Sequence, residues 1–106
     1  MKLYKLTDFK GGWVIGDFDP SIIRNKNVEV AIKRYKKGDY DQKHYHTIAD
    51  EITIVVEGTV KMNGVLYLKD QVILIERGHA TDFEAITDAV TCVIKLPSVI
   101  GDKYLV

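Results

Sequence analysis

Short apolar stretches, alternating or continuous, run through most of this chain and are cut by glycine-containing turns. Residues 28–35 alternate, which puts Val28, Val30 and Ile32 on one face of a strand. Lys37-Gly38-Asp39 reads as a turn. Residues 42–47 and 51–57 follow as strands, the second rich in β-branched side chains and closed by Gly58. Residues 60–62 and 65–68 flank Asn63-Gly64, a strong hairpin signal because both residues accept positive φ. Residues 72–75 form an unbroken apolar run, which predicts a strand buried on both faces. Beyond Gly78, residues 81–86 and 90–96 are two further strands around Thr87-Asp88. Upstream, residues 3–6 and 13–15 are predicted short strands in a less regular arm. Residues 97–106 read as a turn with a short extended end. No segment carries a helical apolar period. Many short strands between turn signals predict an all-β sandwich or barrel. At 106 residues the chain is one domain, an arm over 1–27 and a barrel with its tail over 28–106.

The chemistry is concentrated between Gly38 and Gly58. His44 and His46 share strand parity and look the same way. Four residues separate His46 from Glu51, enough for a bend that returns the carboxylate over the imidazoles. Two imidazoles and a carboxylate suit a divalent first-row metal. They also make an acid–base set without any metal.

The spacing G-x5-H-x-H-x4-E-x6-G, carried by Gly38, His44, His46, Glu51 and Gly58, resembles the first signature of the cupins. That resemblance implies a small antiparallel β-barrel or jelly roll of the cupin type, often a homodimer, with its ligand site in the barrel mouth. It implies His44, His46 and Glu51 as ligands of a divalent transition metal such as Fe, Mn, Zn or Ni. The second cupin signature, G-x5-P-x-G-x2-H-x3-N, is degenerate here. Gly78 is kept, but Asp70 and Glu76 replace the first Gly and the Pro. Thr81 and Ala85 stand where the His and Asn belong, so the usual fourth ligand is missing. His79 is a candidate replacement.

Parity extends the predicted site. Thr53 and Val55 face inward with Glu51, and Phe83 and Ala85 share the inward parity of Thr81. Thr81, Tyr40, Thr53 and Phe83 are candidate substrate contacts, Met62 and Tyr67 candidate walls, and Trp13 a candidate cap on the mouth. Ile52, Ile54 and Val56 face the other way and require cover from a second sheet, the arm or a partner chain.

Composition narrows the partners. Fifteen basic and fifteen acidic residues give zero formal net charge, which argues against nucleic acid. The basic run at residues 33–37 reads as a solvated strand end. The single cysteine, Cys92, rules out an intrachain disulfide and reads as a small strand residue. The first residues lack a long apolar run, and no segment approaches transmembrane length. The expectation is a cytoplasmic protein that binds a small molecule, without membrane or nucleic-acid partners. Three functions stay open. One is a metal-dependent enzyme on a small polar or carbohydrate-like substrate. The second is a metal-free sugar or nucleotide-sugar isomerase or epimerase using His acid–base chemistry, and the third is a non-catalytic binding or sensing module.

Overall fold

The computed structural model describes residues 1–106 and is almost entirely β. One sheet is built from β1 (Trp13–Gly16), β2 (Ile23–Arg24), β3 (Glu29–Tyr35), β5 (Asp50–Glu57), β8 (Val72–Ile75) and β10 (Ala89–Leu96), in the order β2-β1-β3-β10-β5-β8. The second is built from β4 (Tyr40–Tyr45), β6 (Val60–Met62), β7 (Val65–Tyr67), β9 (Thr81–Ala85) and β11 (Tyr104–Leu105), in the order β11-β4-β9-β6-β7. Apart from the parallel β1–β2 pair, every pairing is antiparallel. This is the expected jelly roll.

The turn residues act as their chemistry dictates. Asn63 and Gly64 take φ of 49° and 79° between β6 and β7, as a tight hairpin requires. Gly58 has φ 83°, and a Cβ there would lie 2.2 Å from the Asp88 carbonyl oxygen. Asp70 keeps a left-handed φ of 72°, the conformation that a glycine at this position would adopt without strain.

The aliphatic core lies between the sheets at one end, where Val55, Val60, Met62, Ile75, Phe83, Ala85 and Ala89 pack together. The other end of the interior is polar and holds the site. β3 and β10 present Ala31, Lys33, Thr91 and Val93 inward, while Val30, Ile32, Cys92 and Ile94 face out, half-buried. The apolar face read at Val30 and Ile32 is therefore the outer face of the sheet.

Two local expectations fail. Residues 3–6 form no strand; a 3-10 turn starts at Leu6, and β1 is the arm's first strand. β8 is not buried on both faces, since Val72 is 63% and Leu74 60% exposed. An unbroken apolar run does not distinguish a central strand from an edge strand, and β8 closes the edge of its sheet.

Candidate functional site

The site is assembled by β4, the bend after it, and the start of β5. β4 pairs with β9 through a bulge: Asp41 lies opposite Phe83, but His44 opposite Thr81. Three steps along β4 match two along β9, so Asp41 and His44 both face the interior. The same extra residue turns Tyr40 outward. It is 61% exposed and lies outside the cavity, a correction to its predicted role that simple alternation cannot foresee.

Beyond β4 the chain bends through Thr47, Ile48 and Ala49 and returns as β5. The bend brings Glu51 Oε1 to 3.6 Å from His46 Nε2. The His44 and His46 rings lie edge to face with centroids 5.3 Å apart. Thr53, Thr81 and Phe83 line the same cavity, as does Met62, and Trp13 stands in its wall. His79 is not brought there. It sits exposed in the Gly78 turn and faces a separate groove with Tyr67.

Asp102 holds the bend, and nothing in the local sequence marks it. Its buried carboxylate accepts from the Thr47 amide (2.8 Å), the Thr47 hydroxyl (2.9 Å), the Ile48 amide (3.0 Å) and the Ala49 amide (2.9 Å). Burial opposes its charge, but these donors outweigh burial and lower its pKa to about 2. Its backbone carbonyl accepts a hydrogen bond from His46 Nδ1. The Gly78 amide adds a 2.6 Å bond to the His46 carbonyl.

These bonds define which imidazole nitrogens are free. His46 donates from Nδ1 to Asp102, and His44 from Nδ1 to the Gln42 carbonyl at 2.8 Å. In the neutral rings the lone pair then lies on Nε2. His46 Nε2 is buried and has no hydrogen-bond partner, and Thr91 Oγ1 in the same wall is likewise unpartnered. The facing Glu51 carboxylate raises the His46 pKa against the opposing effect of burial. Burial disfavours the Glu51 anion, but His46 and the charge of Lys95 prevail and hold its pKa below the usual value.

The donor set fits a divalent metal in kind. Imidazoles anchored through Nδ1 to a backbone carbonyl, with Nε2 bare, are the usual arrangement of metal-binding histidines. The three side chains are not drawn around one point, and no group of three His, Cys, Asp or Glu residues is gathered to hold an ion.

Three lysines of the site lie outside the sequence-based expectation. Lys33, Lys95 and Lys103 line the cavity. Lys33 belongs to the basic run read as a solvated strand end, yet it shares the inward parity of Ala31 and Tyr35. Cys92 has the opposite parity and faces away from the cavity. No helix is long and apolar enough to cross a membrane.

No protein-family model matches the chain, and no curated protein does. Solved structures match it clearly. An uncharacterized conserved protein with a double-stranded β-helix domain from Klebsiella pneumoniae superposes with a TM-score of 0.72 at 11% identity, over 98% of this chain and 90% of that one. An RmlC-like cupin from Desulfovibrio desulfuricans gives 0.63 at 18% identity, over 71% of this chain and 76% of the other. The bacterial pirin YhhW of Escherichia coli, in complex with nickel(II), gives 0.67 at 21% identity. That match covers 82% of this chain but 39% of the pirin. The fold is the double-stranded β-helix of the cupins.

Proposed function

We propose that this cupin-fold chain binds a divalent transition metal through His44, His46 and Glu51 and, beside it, a small polar molecule. The observation that carries the reading is His46 Nε2, buried and without a hydrogen bond, facing Glu51 Oε1 at 3.6 Å while Nδ1 is held by the Asp102 carbonyl. A buried polar atom without a partner is costly, by about 1–3 kcal/mol, and calls for a ligand. A bound metal supplies a Lewis acid for an oxygen of the substrate. The chain's own part is to orient the imidazoles, keep Glu51 ionised, and shelter the site behind Met62, Phe83 and Trp13. The nickel(II) of the pirin structure supports metal binding on this scaffold. Elemental analysis of tag-free protein, before and after metal loading and desalting, tests it. About one metal per chain, lost in His44→Ala/His46→Ala, is the expected result. No retained metal under either condition refutes the reading.

One observation favours a second reading, metal-free acid–base chemistry. Glu51 Oε1 lies 3.6 Å from His46 Nε2 and raises the His46 pKa, so the two groups stand side by side to share a proton taken from a substrate. The cavity measures about 240 Å³, below the roughly 300–1,000 Å³ of drug-sized sites. None of Arg24, Arg34 and Arg77 lines it. A substrate smaller than a nucleotide sugar therefore suits it. Ligand binding by metal-free protein without turnover would instead mark a sensing module.

A further inference from the structure

Two of the three lysines in the cavity make no close ion pair, although Asp41, Glu51 and Asp82 line it as well. Of its three lysines, Lys103 is paired with Asp41 at 3.4 Å. Lys33 and Lys95 have no carboxylate within 4.0 Å. Strand register makes both point inward. Lys33 lies opposite Thr91, and Lys95 lies between Glu29 on β3 and Glu51 on β5. Both ammonium groups stand over the Trp13 ring, at 5.2 and 5.4 Å from its centroid. An aromatic face attracts cations but does not cancel their charge. Burial lowers the Lys33 pKa; Asp41 opposes this, and the charge of Lys95 adds to it. Two like charges held in a partly desolvated cavity favour an anion between them. Lysine supplies a compact charge with three rotatable donors, suited to an oxyanion without fixed geometry.

We propose that Lys33 and Lys95, seated on Trp13, form an oxyanion subsite that takes the carboxylate or phosphate of a small organic acid. This rests on the reading of the cavity as a ligand site and gives that ligand its class. The acid group lies at the lysine end, which leaves the ligand's remaining oxygens toward His44, His46 and Thr81.

Trp13 is the only tryptophan of the chain, so its emission reports on the subsite directly. The experiment titrates EDTA-treated full chain with malonate, with inorganic phosphate and with glycerol, at constant ionic strength held with sodium chloride. A saturable change with malonate or phosphate, and none with glycerol, is expected. Whichever of the two binds more tightly names the acid group. Lys33→Gln/Lys95→Gln is expected to weaken binding by at least about tenfold. Should the double variant fail to fold, wild-type amide shifts at residues 33 and 95 on adding the anion decide instead. Equal anion affinity in the variant, no saturable response to either anion, or equal binding of glycerol overturns the subsite. Loss of zinc retention with lysine-dependent anion binding intact refutes the metal reading and supports this one.

Discussion

Asp102 shows how far from a site its organising residue can lie in sequence. It is 56 positions from His46, yet its carboxylate holds the bend and its carbonyl holds the ring. Its folded pKa of about 2 lies below the ordinary 3.8. The stability this confers is fully present above about pH 4 and is lost as pH falls through about 2. The gap corresponds to about 2 kcal/mol. Asp102→Asn is expected to lower stability at pH 7 by about that amount, and to lessen the fall in stability between pH 4 and pH 2. Urea melts of both proteins at pH 7 and pH 3 check it. His44, His46 and Glu51 were legible because their spacing is local and strand parity is regular. Lys33, Lys95 and Asp102 were not, because their roles depend on strand pairing and a returning tail. Tyr40 was misplaced by a single bulge residue.

At the scale of elements, the turns made the strands legible. Every expected strand from β3 to β10 forms, with ends displaced by a residue or two. Turn glycines differ in what they resist. Gly58 combines φ 83° with a Cβ position 2.2 Å from the Asp88 carbonyl and 2.8 Å from Thr87 Oγ1. Gly38 has φ 92° but open space around it. Gly38→Ala is expected to cost about 1 kcal/mol, the backbone strain alone. Gly58→Ala adds steric overlap against backbone and is expected to cost about 3 kcal/mol. Thermal or urea unfolding of the two variants side by side tests the difference. Equal losses would mean that the β5–β6 turn relaxes around the added methyl. The arm was less legible, because residues 3–6 have strand-like side chains but no neighbouring strand to pair with; tertiary pairing, not local composition, makes a strand.

Across the whole molecule, polarity is distributed unusually: part of the interior is charged, and the outer face of the larger sheet is aliphatic. Ile52 and Ile54 on β5 lie beside Leu74 and Val72 on β8. Ile94 and Cys92 of β10 continue the face on the other side of β5. β1 and β2 stand at the opposite edge from β8, so they extend this sheet and leave that part of it open. We propose that a second copy of the chain covers it. Sedimentation should then give twice the 12.0 kDa chain mass, and Leu74→Glu should return the monomer. A monomeric wild type at micromolar concentration would sink this proposal. Such an arrangement makes robustness a matter of abundance. Two chains that complete each other's surface gain apparent folding free energy by mass action, about 1.4 kcal/mol for each tenfold rise in concentration per dimer when unfolding and separation are coupled. Melting temperature would climb with protein concentration, and dilution alone would expose an aliphatic edge strand able to recruit strangers.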